Sequence, residues 1–250
     1  MKRLFPFFIV FIYLISTIIS CSNSNYVDSS HDAHAGVIDL SSVDFSKNIF
    51  SLEGEWHFVW DQFLGPEDPR WDGPDISIAN IPGLWKDINI DDITLTNTGY
   101  CSMQLEVQTP PGTNKFGIKL NQVGTAYMLF IDGVELIKNG EAGTDRTTSQ
   151  GSYQPRTVYF ETLSDQFTIT MHIANFHDRL GGVWTRIYFG SNERISIHNY
   201  IDNGADVFLL GIFFIIGIYY IITWYFGGKN SAQLWFGLCL LMIAARTATA

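Results

Sequence analysis

The stretch Tyr127-Met128-Leu129-Phe130-Ile131-Asp132-Gly133-Val134-Glu135-Leu136-Ile137 decides the architecture. Five apolar residues, then Asp-Gly, then a second largely apolar run, is the pattern of a tight β-hairpin. Asp-Gly accepts the positive φ that a type I′ turn needs at both central positions. The first run is apolar on both faces, which predicts a buried, central hairpin rather than one lying on a surface.

Working outward, the same two-residue period recurs. Leu52, Trp56, Phe58 and Trp60 point one way while Glu55, His57 and Val59 point the other. Cys101, Met103, Leu105 and Val107 repeat the alternation, as do Phe116, Ile118 and Leu120. Phe167, Ile169, Met171 and Ile173 alternate with Thr168, Thr170, His172 and Ala174, which predicts a strand with one wet face. Gly, Pro, Asn and Asp clusters divide these runs, and no convincing helical pattern intervenes from Gly36 to about Asp206. About ten strands in about 170 residues predict an all-β sandwich of jelly-roll type spanning residues 36–206.

The two ends of the chain read as membrane-directed. Lys2 and Arg3 precede an apolar run from Leu4 to Ile19, the layout of a secretory signal. The run closes on Ile18-Ile19-Ser20-Cys21, which resembles a bacterial lipobox. This predicts a leader over residues 1–21 with Cys21 as the lipidated N-terminus, ordinary cleavage or an uncleaved anchor being the alternatives. Residues 22–35 are polar and read as a tether. From Val207 to Phe226 there are 20 residues without a charge, enough at 1.5 Å per residue to cross about 30 Å of hydrocarbon. Residues 207–226 therefore predict a transmembrane helix, with Tyr219, Tyr220, Trp224 and Tyr225 as an interfacial belt. After Gly227-Gly228-Lys229-Asn230 a second apolar run begins at Ala232, meets Arg246 and stops at Ala250, predicting the start of a second membrane helix over residues 232–250. Export would leave the β-domain outside the cell membrane, on the periplasmic side, and Lys229 inside. The sequence ends while still inside a membrane element, so further chain is expected beyond Ala250.

Charge narrows the partners. All 25 carboxylates fall between Asp28 and Asp206, and Lys2, Arg3, Lys229 and Arg246 lie outside that stretch, so 11 of the 15 cations face 25 anions. A field of that sign repels phosphate backbones, and no Lys/Arg stripe with interleaved aromatics occurs, which argues against nucleic acid as a partner. A small-molecule ligand, neutral or cationic by this charge balance, and the membrane are the expected partners. Of three cysteines only Cys101 lies within the β-domain, so neither a disulfide framework nor a cysteine-rich zinc site is expected. No His-x-x-x-His pair, Gly-x-Ser-x-Gly elbow, P-loop or dinucleotide fingerprint is present, and neither an enzyme nor a cofactor is expected.

Aromatic rings that stack on sugar faces, with amide, imidazole and carboxylate groups for the hydroxyls, are the chemistry of saccharide binding. The densest such cluster is Asn175-Phe176-His177-Asp178-Arg179-Leu180-Gly181-Gly182-Val183-Trp184, leaving a strand at the end of the sandwich. Asn175, His177, Asp178 and Arg179 are candidate polar contacts and Trp184 a candidate platform, with a purely structural corner as the other reading. Trp85, after Ile81-Pro82-Gly83-Leu84, is a further candidate, and Trp71 a weaker one. Trp56, Phe58 and Trp60 fit core packing better. Asp87, Asn89, Asp91 and Asp92 form a solvated acidic loop rather than a calcium loop, lacking the glycine and terminal glutamate of that motif.

Several of these segments, taken in order, resemble one family: bacterial seven-transmembrane receptors with diverse intracellular signalling modules. The resemblance rests on Gly36-Val37-Ile38-Asp39-Leu40, on Leu52-Glu53-Gly54-Glu55-Trp56-His57-Phe58, and on Ile81-Pro82-Gly83-Leu84-Trp85. It continues through Gly99-Tyr100, through Ala174-Asn175-Phe176-His177 with Gly181-Gly182, and through Leu234-Trp235-Phe236-Gly237-Leu238 leading to Arg246. It implies an extracytoplasmic, galactose-binding-like jelly roll that senses a carbohydrate-like or other small ligand and passes the signal through a seven-helix bundle to an intracellular signalling module beyond Ala250. The Leu-x-Gly-x-Trp and Pro-Gly-x-Trp elements also resemble the sugar-binding domain of family-2 glycoside hydrolases. Two alternatives therefore stand beside the receptor: a sugar-binding module of a membrane-anchored glycosidase, or a lipid-anchored adhesion module.

Overall fold

The computed structural model describes residues 27–74, 76–90, 93–227 and 231–247. The expected leader with its expected lipidation at Cys21, and Asp91 and Asp92, lie outside the described residues. The chain divides into two compact units, one ending at Ile195 and one beginning at Ser196.

In chain order the strands are β1 (Val27–Asp28), β2 (Val37–Asp39), β3 (Ile49–Ser51), β4 (Gly54–Trp60), β5 (Ser77–Ile81), β6 (Gly83–Leu84), β7 (Asn89–Ile90), β8 (Ile93–Thr94) and β9 (Gly99–Gln108). There follow β10 (Lys115–Leu120), β11 (Val123–Gly124), β12 (Ala126–Ile131), β13 (Val134–Asn139), β14 (Arg156–Glu161), β15 (Gln166–Asn175), β16 (Gly182–Val183) and β17 (Ile187–Ser191). Helices α1 (Asn192–Phe226) and α2 (Ser231–Thr247) complete the chain.

Among the described residues the strands form two large sheets. One runs β1-β3-β17-β10-β14; the other runs β13-β12-β15-β9-β4-β5, with β2 alongside β9. Their inner faces share one core, in which Trp56, Phe58, Met103, Leu105, Met171 and Ile173 of one sheet meet Phe50, Phe116, Ile118 and Phe189 of the other. The small sheet β11-β16-β6 lies apart from both, joining loops that follow the strands.

The Asp132-Gly133 hairpin forms as its sequence predicts, with φ of 45° and 81° at the two turn residues. Its position differs from the expectation. Strand β13 is the edge of its sheet, and Val134 is 60% exposed, so only β12 is central. The apolar run 127–131 is interior because β15 and β13 flank it, not because the whole hairpin is enclosed.

Strand β15 departs from its expected wet face: Thr170 is fully buried and His172 nearly so. The cause is the segment after β4, which crosses the outer face of the sheet and is tied down by that face's polar side chains. Ser102 Oγ accepts from Leu64 N at 2.8 Å and donates to Gln62 O at 2.9 Å. Gln104 Nε2 donates to Pro66 O at 2.9 Å, and His172 Nε2 donates to Leu64 O at 2.6 Å. Phe63 stacks on the His172 ring at 4.9 Å. Alternation of polar and apolar residues signalled a solvated face, but here it supplies the donors that hold a covering strap.

The first unit begins earlier than the tether reading implied. Val27–Asp28 pairs in parallel with Ile49–Phe50, and buried Ala33 donates its N–H to Glu53 O at 2.7 Å. Helix α1 also starts earlier than its apolar run. Ser191 caps it by accepting from Arg194 N, and Ile195 is fully buried.

In the second unit, α1 is the one described helix long and apolar enough to cross a membrane. Its most apolar window has a mean hydropathy of 2.3 and is 6% buried, unlike the core helix of a soluble protein. Helix α2 is a shorter apolar helix. The two meet where both carry glycine. A Cβ on Gly217 would lie 2.9 Å from Leu241 and 3.1 Å from Gly237 O, and Tyr220 packs edge-on to Phe236 at 4.8 Å. Small residues permit such close backbone approach in apolar surroundings.

Burial holds the His172 pKa below its ordinary 6.5. The unfolded chain then binds a proton that the folded chain refuses, so stability falls as pH drops below about 6.5 and the loss levels off below the folded-state value. Chemical denaturation between pH 7.5 and 5 should show this slope, and His172→Gln, which keeps a donor for Leu64 O, should remove that part of it. In the helical hairpin, Gly217→Ile should lower crosslinking between cysteines placed at Tyr220 and Phe236, while Gly211→Ile, where a Cβ meets open space, should not.

Candidate ligand-binding site

The polar cluster at the end of β15 is built around Asn175. Its side chain is fully buried and its amide is consumed locally. Nδ2 donates to Asn97 O at 2.7 Å and Asp178 O at 3.1 Å, while Oδ1 accepts from Asp178 N at 3.0 Å and Thr125 Oγ1 at 3.3 Å. Asn175 therefore shapes the turn that presents residues 176–181 and has no capacity left for a ligand.

Trp85 is likewise removed from the candidate contacts. It is 1% exposed, sits edge-on to Trp60 at 4.9 Å, and shares the core with the buried Cys101 thiol, its indole N–H enclosed without a hydrogen-bond partner. Burial pushes that thiol's pKa well up, so Cys101 is an inert core group. Gly181 leaves the space that the Trp85 ring fills, and Trp85 N donates to Gly181 O at 3.0 Å. Trp71 is also buried, with its indole N–H on Gly65 O at 2.9 Å. A tryptophan in a Pro/Gly-rich stretch read as a platform, yet each of these rings is the apolar anchor that fixes its loop. Asn89, from the acidic loop, accepts from Thr94 Oγ1 at 2.7 Å.

The remaining candidates do come together. His177, Asp178 and Arg179 follow Asn175 on an outward turn, with His177 and Arg179 exposed and Asp178 half-buried. Trp184 is half-buried after β16, its six-membered ring lying over Gly124 of β11. Its indole N–H is shielded from solvent and has no hydrogen-bond partner.

Sequence reasoning missed the opposite wall. The 16 residues from Gly140 to Pro155 join β13 to β14 and pack against the same turn. His177 Nε2 donates to Ser149 O at 2.9 Å, and Tyr153 donates its hydroxyl to Asp178 Oδ2 at 2.7 Å. Tyr153 is 57% exposed despite that bond. Its hydroxyl, with the backbone N–H groups of Arg179 and Leu180, holds the Asp178 carboxyl below the ordinary carboxylate range, and Asp178 in turn raises the Tyr153 pKa. The one signal in the sequence was length, since structureless connections of this size in a compact domain are commonly functional. The two walls form a surface of Tyr153, His177, Asp178, Arg179 and Trp184, on which the exposed Tyr153 ring, the exposed His177 and the Arg179 guanidinium face solvent while the Asp178 carboxylate holds the walls together.

Other concave regions lie elsewhere. One of about 390 Å³ is lined by Val59, Gln62, Leu64 and Arg70 beneath the strap, but Arg70 is already engaged by Asp68 and Gln62. Another of about 500 Å³ lies among Asp44, Lys115 and Glu193 at the opposite ends of the strands.

No family model matches the chain, and no curated protein matches it. Solved structures do. A β-glucuronidase from an uncultured Clostridium sp. aligns at 12% identity and a TM-score of 0.43, over 57% of this chain and 29% of that one. A Ruminococcus gnavus β-glucuronidase aligns at 14% identity and 0.43, over 58% and 28%. A Faecalibacterium prausnitzii β-glucuronidase aligns at 11% identity and 0.43, over 57% and 31%. The chain thus matches less than a third of the length of each enzyme.

The burial difference between the candidates is measurable. Trp85→Ala should cost about 3–5 kcal/mol of stability, whereas Arg179→Ala should change it by less than about 0.5 kcal/mol. Denaturant titration of the two variants checks this.

Proposed function

We propose that the chain is the ligand-sensing part of a membrane receptor, carried outside the cell membrane, and that it is not an enzyme. In this reading the two packed sheets are a jelly roll of the galactose-binding-like kind. The ligand is a carbohydrate-like small molecule held by Tyr153, His177, Asp178, Arg179 and Trp184, and the helices begin a seven-transmembrane bundle with an intracellular output.

The observation that carries the reading is the junction at Ser191–Asn192. Strand β17, paired to both β10 and β3, passes without a connecting loop into a 35-residue helix that carries no charge from Val207 onward. An anchor needs only a tether, and Gly/Ser-rich linkers serve that purpose. A strand that becomes the membrane helix suits a protein in which binding is to be felt on the far side. The sequence order of the motifs supports the same reading. The Leu52-x-Gly54-x-Trp56 element favours the module of a membrane-anchored glycosidase as the competing one.

Hydrogen exchange on the full chain in lipid nanodiscs separates them. A saccharide that protects residues 140–155 and 176–184 should also alter exchange across 192–206 if the chain is a sensor. Protection confined to the loops would make it a passive binding module.

A further inference from the structure

The ligand site proposed above has an electrostatic character that the overall charge of the chain conceals. Among the described residues, Lys47, Arg70, Lys115, Lys138 and Arg186 each pair with a carboxylate, on Asp44, Asp68, Glu161, Glu141 and Glu53 respectively. Lys119 and Arg194 make other interactions. Among the described residues no carboxylate is bonded to the side chains of Lys86, Arg146, Arg156 or Arg179. All four sit on the connections at one end of the sandwich: Lys86 beside the Trp85–Gly181 contact, Arg146 in the loop 140–155, Arg156 at the start of β14, and Arg179 on the turn after β15.

The Asp178 carboxylate feels the Arg179 charge, but the carboxylates on these two loops form no ion pair with the Arg146, Arg156 or Arg179 side chains among the described residues. Asp145 is taken up by Thr147 and Thr148, and Asp178 by the Tyr153 hydroxyl and the Arg179 backbone N–H. Beside Arg156 lies a second unfilled group. Tyr127 is 1% exposed, its hydroxyl has no partner, and it feels the Arg156 charge. Arg156 Nε leans on Asn139 Oδ1 at 3.4 Å, which leaves its terminal nitrogens free. A buried hydroxyl without a partner is costly, and a guanidinium offers the fork of parallel N–H groups that a carboxylate fits.

Resting on the carbohydrate reading above, we propose that the ligand is an acidic saccharide, its carboxylate held by Arg156 and Arg179 and its ring faced by Trp184 and Tyr153. In a domain with a large excess of acid, unpaired guanidinium groups at one end select an anion that the rest of the surface repels. Arg, unlike Lys, binds such a group through two parallel bonds.

The test uses the full chain in nanodiscs, titrated calorimetrically with galacturonate and glucuronate oligosaccharides and with neutral galactose and glucose oligosaccharides of equal length. The acidic oligosaccharides should bind, and Arg156→Gln with Arg179→Gln should weaken them about tenfold or more, as loss of charge-assisted bonds does. Raising salt from 50 to 500 mM should weaken the unmodified chain's binding too, a readout that does not depend on the variants folding. Neutral oligosaccharides binding as tightly, or binding indifferent to salt and to both substitutions, would overturn the acidic assignment and leave the carbohydrate reading standing. No binding of either class would overturn both.

Discussion

Strands β9 and β15 pair over ten residues, from Gly99↔Asn175 to Gln108↔Gln166, and both of their faces are buried. This double burial is the constraint on which the first unit depends. The inner faces, with Cys101, Met103, Leu105, Ile169, Met171 and Ile173, complete the core between the sheets. The outer faces must place Ser102, Gln104, Thr170 and His172 away from water, and each polar group needs a partner there. The strap from Gln62 to Pro66 supplies backbone partners for Ser102, Gln104 and His172, and Gln104 satisfies Thr170. The same pair of strands ends at Asn175 and Gly99, so the extent of the pairing also fixes where the turn of residues 176–181 begins.

Much of the fold was legible because two-residue periodicity and turn chemistry are local signals. The Asp132-Gly133 turn, the inner faces of β4, β9, β10 and β15, and the apolar run from Val207 are where the residues put them. What was not legible depends on tertiary cover. His172 and Thr170 look solvent-facing until a segment a hundred residues earlier closes over them. Helix α1 gains its first turns from the Ser191 cap and from burial of Ile195, neither of which produces an apolar run. The parallel pairing of Val27–Asp28 is invisible in a polar stretch for the same reason.

The site divides along a similar line. His177, Asp178, Arg179 and Trp184 could be found because they cluster in sequence, and the turn keeps them together. Asn175 and Trp85 carried the same chemical promise but serve the scaffold, one by saturating its amide and the other by filling the space beside Gly181. Residue type alone does not separate an aromatic anchor from an aromatic platform; burial does. Tyr153 was missed because it reaches the site from within a 16-residue loop distant in sequence, which the Tyr153–Asp178 and His177–Ser149 bonds fasten to the turn. In the second unit, the glycines at 217 and 237 matter through a contact between helices, again a relation that periodicity does not encode.

The central claim is that this end of the sandwich is where the ligand sits. A crystal structure of the full chain grown from lipid with an oligogalacturonate tests it most directly. The account predicts saccharide density against Trp184 and Tyr153 with a carboxylate between Arg156 and Arg179. Density in the concavity among Asp44, Lys115 and Glu193, with the loop end bare, would contradict it.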